Sequence, residues 1–173
     1  AELEQALAAG IGKIMIDSLD ELDRLASLTA GRSTAQAVML RLTPDIAADT
    51  HAHIETGRAS SKFGFPLEAL DAAATRLLAA PGLQLVGLHA HIGSQIFERG
   101  PFEQALGVLL DCAAQLHLRG LPISEISPGG GLGVPYTSEQ TAPDRDAYVA
   151  AISDTVVRGC AARGLPLPRL ILE

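Results

Sequence analysis

The hydrophobic residues of this chain alternate between short apolar runs and stretches with helical spacing. The apolar runs predict five strands, at Lys13 to Asp17, Ala37 to Leu42, Leu83 to His91, Ile123 to Ser127 and Leu170 to Glu173. These runs are nearly continuous in apolar residues, which is typical of strands that are buried on both faces of a parallel sheet.

Helices are predicted between these strands from apolar residues three or four positions apart. Ser18 and Glu21 have the spacing of a capping box and predict the start of one helix. A second helix is predicted to begin at Pro66, a third to span Pro101 to Leu118 and a fourth to span Asp144 to Arg163. Ala1 to Gly10 resembles the middle or end of a further helix. Residues 45–65 lack periodicity and predict the longest loop. The alternation predicts an α/β fold with a parallel sheet, either a barrel or a doubly wound sheet.

Composition narrows the class of protein. Hydrophobic residues make up 47% of the chain and charged residues 19%, which indicates a globular domain. The formal net charge of −7 and the lack of a Lys/Arg cluster argue against a nucleic-acid partner. No apolar run has membrane-spanning length and the first residues do not resemble a signal peptide, so we expect a cytoplasmic protein with no membrane partner. Cys112 and Cys160 stand apart and are predicted to be buried thiols.

Polar residues at the carboxyl ends of the strands are the first candidates for chemistry, because parallel α/β folds carry their sites there. His89 and His91 lie two positions apart, so a strand would point both side chains to one side. Gly93 and Ser94 follow with a backbone and a hydroxyl able to hold an anion. A buried core histidine followed by an ordinary turn is an equally good interpretation of this stretch.

Two further strand ends carry candidate residues. Pro128 to Gly133 (PGGGLG) is a glycine-rich loop, in which amide N–H groups can turn toward a phosphate. Its spacing is not that of the dinucleotide fingerprint, and a tight barrel corner is the alternative. Glu173 ends an apolar run, where a carboxylate can pair with a protonated ring nitrogen of a pyridoxal cofactor or simply be a solvated charge.

Four motifs occur in order along the chain: SKFGF (Ser61 to Phe65), GLHAHIGSQI (Gly87 to Ile96), SPGGGLGVPY (Ser127 to Tyr136) and LILE (Leu170 to Glu173). This set resembles the fold-type III pyridoxal-phosphate-dependent decarboxylases, and within them it is most similar to the diaminopimelate decarboxylases. The order and spacing match over essentially the whole chain. The resemblance implies a partial TIM-type (β/α)8 barrel, in which residues 1–173 form a single partial domain with roughly strands four to eight.

The resemblance also implies roles for individual residues. His91 is expected to stack on the cofactor ring, and Glu173 is expected to pair with its pyridine nitrogen, so that the protonated ring withdraws electrons as carbon dioxide leaves. Ser94, Gly129, Gly130 and Gly131 are expected to bind the cofactor phosphate. His89 and Arg41 match pocket positions with less defined roles, and Lys62 and Gln95 are less defined still. No metal is implied.

Other parts of the family's site are expected outside this chain. The resemblance places the Schiff-base lysine before Ala1, and Lys13 and Lys62 stand in no matching motif. A Pro-Gly-Arg segment and a β-rich second domain are expected after Glu173. We therefore expect a fragment that binds pyridoxal phosphate weakly at most and does not decarboxylate alone, with sheet edges that can pair with a second copy. The intact protein is expected to be a homodimer with a small-molecule amino-acid substrate, and the resemblance implies that it decarboxylates meso-diaminopimelate to L-lysine.

Three alternatives stay open. His89-Ala-His91 and His51-Ala-His53 have a spacing that suits two ligands on one metal, as in a metal-dependent hydrolase on the same barrel. A non-catalytic pyridoxal-phosphate carrier shares the barrel. A decarboxylase of ornithine, arginine, lysine or a specialised substrate would share the cofactor site and differ in the parts that recognise the substrate.

Overall fold

The computed structural model describes residues 2–46 and 63–173 of the chain. Its helices are α1 (Glu2–Ala8), α2 (Leu19–Thr29), α3 (Leu70–Leu78), α4 (Gly100–Leu118) and α5 (Arg145–Arg163). Its strands are β1 (Ile14–Ile16), β2 (Gln36–Thr43), β3 (Phe65–Pro66), β4 (Leu83–Ala90), β5 (Glu125–Ser127) and β6 (Arg169–Leu170). A short 3-10 helix, Leu67–Ala69, precedes α3. Strands and helices alternate, as the apolar pattern predicts.

The strands form one parallel sheet in the order β1-β2-β4-β5-β6, with the short β3 beside the end of β2. Apart from the short β3, strands that follow one another in the chain are therefore neighbours in the sheet, and the order does not reverse among the described strands. A doubly wound sheet reverses its order at a switch point, whereas a (β/α)8 barrel keeps its strands in sequence. The winding is that of part of a TIM-type barrel, and the predicted fold class is confirmed.

The helices are fixed by local signals and by packing against the sheet. Ser18 caps α2 by accepting a hydrogen bond from the Glu21 amide at 3.2 Å, and the Glu21 carboxylate accepts from the Asp17 amide at 2.8 Å. The predicted capping box is confirmed. Phe102 of α4 meets Tyr148 of α5 edge to face, with 5.1 Å between ring centroids, which joins these two helices over the core.

Both cysteines are buried and free, as predicted. Burial raises the pKa of the Cys112 thiol to about 11, so it is protonated at neutral pH. Within the described residues, no helix has the length and apolar character needed to cross a membrane.

Several predicted boundaries are corrected. The strand predicted to reach His91 ends at Ala90, and the strand predicted from Leu170 to Glu173 is reduced to Arg169–Leu170. The backbone nevertheless continues alongside β5, because the amides of Ile171 and Glu173 donate to the carbonyls of Ile126 and Gly129 at 2.9 and 3.4 Å. The regular ladder weakens at this point, but Glu173 still lies beside the loop that follows β5.

The helix predicted to start at Pro66 is also corrected. Phe65 and Pro66 pair with Leu42 and Thr43 as a two-residue strand, and the α-helix begins only at Leu70. Proline at a strand end is tolerated because little ladder is lost with its missing N–H group. Most of the predicted loop, together with His51, His53 and Lys62, lies outside the described residues.

Candidate active site

The carboxyl ends of the strands bring together the polar residues that the sequence singled out. Asp17 directly follows β1, Arg41 lies near the end of β2 and His89 lies near the end of β4. The parallel register places Arg41 beside His89, and His89 beside Ser127 of β5. The loop after β5 and the chain after β6 end at the same edge. One edge of the sheet therefore carries candidate residues from five strands.

The imidazole of His89 hydrogen-bonds to the carboxylate of Glu173, with 2.8 Å between Nε2 and Oε1. The His89 side chain is 7% exposed and that of Glu173 is 49% exposed. Burial is the main influence on His89 and lowers its pKa, which the hydrogen bond and charge of Glu173 only partly offset; the Arg41 charge lowers it further. The imidazole is therefore neutral near neutral pH, and its Nε2–H group donates to the carboxylate.

The second ring nitrogen of His89 is unusual. Its Nδ1 atom is buried and has no hydrogen-bond partner in the part of the chain that the structure describes. With Nε2 donating to Glu173, Nδ1 is an acceptor without a donor, a situation that costs about 1–3 kcal/mol. Such a cost is common where a residue serves a site and not the stability of the fold.

His91 lies one residue beyond β4, at the border of the glycine loop. A Cβ atom at Gly129 would lie 2.4 Å from the Ala90 carbonyl oxygen and 3.2 Å from Nδ1 of His91, so only glycine fits between them. Burial and the Arg41 charge lower the pKa of His91, against a smaller opposing effect of Glu173. Both histidines thus lie in the field of the same two charges, and His91 presents a neutral ring beside the loop.

The loop after β5 offers hydrogen-bond donors to an anion. Gly131 has φ of +104°, and a Cβ atom there would lie 2.0 Å from the Gly93 carbonyl oxygen and 3.5 Å from Cα of Ser94. The amide N–H groups of Gly130 and Gly131 have no acceptor within residues 2–46 and 63–173. Unpaired amides in a turn of glycines beside a serine suit a phosphate or another oxyanion.

Arg41 borders this edge from the other side. Its guanidinium nitrogen lies 3.8 Å from the Asp17 carboxylate, and its Cζ atom lies 5.3 Å from the centre of the Phe63 ring. These contacts hold a positive charge close enough to His89 and His91 to lower the pKa of both. Arg41 and Asp17 therefore complete the polar edge that begins at Glu173.

An ion cluster around the buried Glu125, not predicted from the sequence, lies at the opposite, amino end of the strands. The Glu125 carboxylate on β5 accepts hydrogen bonds from Lys13 and from Arg169. Burial alone would raise the pKa of Glu125, but these two partners lower it overall. A single Glu inside the apolar run of β5 was the available signal. The cluster gives Lys13 a structural role away from the candidate site.

The spacing of His89 and His91 also suits a metal pair. Within the described residues, however, no group of three or more His, Cys, Asp or Glu side chains is arranged to hold a metal ion. His51 and His53 lie outside those residues.

Comparison with known proteins shows the family. Residues 1–173 match the family described as pyridoxal-dependent decarboxylase, pyridoxal binding domain. A diaminopimelate decarboxylase of Synechocystis is 40% identical over 99% of this chain and 36% of its own length. That of Mycobacterium leprae is 38% identical over 100% of this chain and 38% of its own. A crystal structure of diaminopimelate decarboxylase from Helicobacter pylori, complexed with L-lysine, superposes with a TM-score of 0.86 at 28% identity, covering 99% of this chain and 42% of the other.

The chain thus spans well under half the length of the relatives it matches. The match nevertheless extends over every residue of this chain and includes the edge where His89, Glu173 and the glycine loop meet. The chain therefore belongs to the pyridoxal-dependent decarboxylases, as part of their pyridoxal-binding domain.

Proposed function

We propose that the full-length protein is a pyridoxal-phosphate-dependent decarboxylase that converts meso-diaminopimelate to L-lysine. The observation that carries this proposal is the 2.8 Å pair of His89 and Glu173 beside a glycine loop in which the Gly130 and Gly131 amides have no acceptor among the described residues. The names of the relatives support the substrate, since both curated sequences compared above are diaminopimelate decarboxylases. Because this chain spans only part of those relatives, the activity is proposed for the full-length protein.

The residues at the carboxyl edge suit pyridoxal phosphate. Gly130 and Gly131 would bind its phosphate through amide N–H groups and Ser94 through its hydroxyl, whereas the Gly129 N–H donates to the Ser127 hydroxyl oxygen at 3.2 Å, so that Gly129 would shape the loop. A Cβ atom at Gly130 would lie 3.2 Å from the Cβ atom and from the main-chain oxygen of Glu173, so glycine there lets the loop pass close to Glu173. His91 would stack its neutral ring on the cofactor, and Glu173, which is half exposed, would pair with the pyridine nitrogen.

The cofactor, when bound, supplies an electron-withdrawing ring that makes loss of carbon dioxide from an amino acid possible. The task of Glu173 is to hold a proton on the pyridine nitrogen, which a carboxylate does by adding negative charge at that atom. His89 fixes the orientation of this carboxylate through Nε2. Because its own pKa is lowered, His89 stays neutral and does not compete as a second cation for Glu173.

Arg41 and Asp17 would border the pocket. The Arg41 charge favours the neutral form of His91, and a neutral ring stacks on a cationic pyridine ring without charge repulsion. Asp17 is 3.8 Å from Arg41 and holds its guanidinium at this edge. Both residues are proposed to shape the electrostatics of the pocket.

The first test measures carbon dioxide release by the full-length protein from meso-diaminopimelate, ornithine, arginine and lysine, with and without added pyridoxal phosphate. Cofactor-dependent release from diaminopimelate is expected. Release of carbon dioxide from another amino acid would support the proposed cofactor site and contradict the proposed substrate. Release that does not depend on the cofactor would contradict the whole proposal.

The same assay tests the carboxylate. Glu173→Gln retains the size of the side chain and removes its charge, so turnover is expected to fall by about 100-fold or more. Asp154→Asn is the matched control, because Asp154 is an exposed carboxylate in the middle of α5 and the same loss of charge there should leave turnover intact. Full activity of Glu173→Gln would remove this residue from the proposed mechanism.

The resemblance also supports a cytoplasmic homodimer for the full-length protein, in which this chain supplies one partial barrel domain. The isolated chain is proposed to bind the cofactor weakly and to be inactive. Gel filtration of the full-length protein should give the mass of two subunits, and robust turnover by the isolated chain would contradict the second statement.

A further inference from the structure

Gln95 has a backbone conformation that most side chains avoid. Its φ is +58°, and within the described residues Asp45 is the other non-glycine residue with positive φ. This conformation costs an ordinary L-residue about 1–2 kcal/mol. The residue sits directly after Ser94, at the end of the turn that follows β4. A cost at this position requires compensating contacts.

The side chain of Gln95 supplies those contacts. Its Oε1 atom accepts a hydrogen bond from the Val134 amide at 2.9 Å, and its Nε2 atom donates to the Val134 carbonyl at 3.0 Å. One amide side chain thus satisfies both backbone groups of a single residue 39 positions away. The arrangement has the donor and acceptor pattern of one rung of a sheet.

The neighbouring backbone extends this connection. The Ile96 amide donates to the Gly131 carbonyl at 3.0 Å, and the Gly133 amide donates to the Ile96 carbonyl at 2.9 Å. Ile96 and Leu132 form an isolated parallel bridge. The turn after β4 and the loop after β5 are therefore joined side by side, and Gln95 closes the outer end of that junction.

The two joined segments are those that carry the candidate phosphate ligands. Ser94 precedes Gln95, and Gly129 to Gly131 lie at the other end of the junction. At Gly131 the loops touch so closely that a Cβ atom would overlap the Gly93 carbonyl oxygen. A small separation of the loops would move the Ser94 hydroxyl away from the glycine amides, and an anion held by both would lose donors from one side.

We propose that Gln95 is a positioning residue for the phosphate site, which holds the loop after β5 against the Ser94 turn by its paired hydrogen bonds to Val134. This inference rests on the proposed function, because it assumes that the anion held there is the phosphate of pyridoxal phosphate. Gln95 itself needs no contact with the cofactor. It acts by fixing the distance between the Ser94 hydroxyl and the glycine amides of the loop after β5.

The test compares pyridoxal phosphate with pyridoxal, which lacks the phosphate, as ligands of the full-length apoprotein. The variant is Gln95→Gly, because glycine adopts positive φ without strain and removes only the side-chain hydrogen bonds. We expect its affinity for pyridoxal phosphate to fall about tenfold, the effect of losing one to two hydrogen bonds, while its affinity for pyridoxal is unchanged. The ³¹P resonance of the bound cofactor should shift in the same variant.

Two further variants sharpen the result. Gln95→Glu keeps the acceptor for the Val134 amide but places a second oxygen against its carbonyl, so it should also lose phosphate-dependent affinity. Gln140→Ala is the matched control, since the Gln140 side chain accepts a hydrogen bond from the Tyr136 amide at 2.7 Å within one loop and, among the described residues, hydrogen-bonds to no second segment. Its ratio of affinities for the two ligands should equal that of the wild type.

The outcomes separate the two proposals. Equal losses of affinity for pyridoxal phosphate and for pyridoxal would show a general structural role and overturn the positioning role. A ratio of the two affinities that stays at the wild-type value in both Gln95 variants would overturn it as well. Failure of the wild-type protein to bind pyridoxal phosphate would instead overturn the proposed function, and with it this inference.

Discussion

The buried imidazole of His89 donates a hydrogen bond to Glu173 across 2.8 Å, although the two residues are 84 positions apart in the chain. They meet because β4 and β6 flank β5 in the sheet and end at the same edge. The carboxylate is half exposed, whereas the imidazole is enclosed. The hydrogen bond therefore connects an exposed acid to a buried ring, and this relationship leads to the first two predictions.

Removing the hydrogen bond should impair turnover more than substrate binding. In the full-length protein, His89→Leu is expected to lower kcat by about 10–100-fold, since hydrogen bonds to charged groups contribute about 1.5–3 kcal/mol. His89→Gln, whose Nε2 can still donate, should recover part of that loss. Steady-state kinetics with meso-diaminopimelate measure both. A change confined to KM, or equal kcat for the two variants, would argue against orientation of Glu173 by His89.

His89 should also make stability depend on pH. Its pKa is lowered from 6.5 in the folded protein, mainly by burial, so the unfolded chain binds a proton more readily just below that value. Stability is therefore expected to decline as the pH falls below about 6.5, and to level off below the pKa of the folded state. Thermal unfolding midpoints of the full-length protein across this range should show the decline, and His89→Gln should reduce it. A wild-type midpoint that rises with acid would contradict this.

Gly131, in the loop after β5, leaves no room for a side chain, whereas Gly107 in α4 does. Gly131→Ala would place a Cβ atom 2.0 Å from the Gly93 carbonyl at a φ of +104°, which forces the loops apart. Affinity for pyridoxal phosphate should fall by at least about tenfold. Gly107→Ala is the matched control, because nothing lies within 4 Å of its Cβ position in α4. That change should stabilise the helix by about 0.5–1 kcal/mol and leave cofactor affinity unchanged. Equal cofactor affinity in the two variants would show that the close approach of Gly131 to the Gly93 carbonyl does not matter for cofactor binding.

The ion cluster at the amino end of the strands should support stability and not catalysis. Glu125→Ala leaves Lys13 without its partner and is expected to cost about 1–2 kcal/mol, less than for a fully buried pair, because the Lys13 side chain is 25% exposed and can turn toward water. The double variant Lys13→Met with Glu125→Met should cost far less, because no charge is left unpaired inside. Arg169→Met should be mild, since the Arg169 side chain is 71% exposed. Thermal unfolding measures all three, and an equal cost for the single and double variants would contradict the pairing.

The same cluster has its own pH dependence. The partners Lys13 and Arg169 hold the pKa of Glu125 below 4.5, against the opposite effect of burial. Its contribution to stability is therefore complete above about pH 4.5 and is lost as the pH falls through the lower pKa of the folded state. Acid unfolding of Glu125→Gln should lack this component, and a wild-type curve that matches that of the variant would show that the cluster contributes nothing.

Much of this architecture could be predicted from local sequence signals. The apolar run at Leu83 marks β4 and the Ser18–Glu21 spacing marks the start of α2, because hydrophobic burial and capping act over neighbouring residues. Boundaries were less accurate where tertiary contacts compete with propensity. Pro66 is a good first residue for a helix, yet Phe65 is drawn into the sheet beside Leu42 and delays α3 to Leu70.

The motifs HAHIGSQ and PGGGLG, together with Glu173, were by themselves enough to predict the family and the edge of the sheet that we propose carries its chemistry. Only the tertiary structure decided that His89 donates to Glu173, that Gln95 joins two loops through Val134, and that Lys13 and Arg169 neutralise Glu125. Periodicity assigns a residue to a strand, a helix or a face. Which side chains come within hydrogen-bonding distance depends on strand order and register, which are set by packing between segments far apart in the chain.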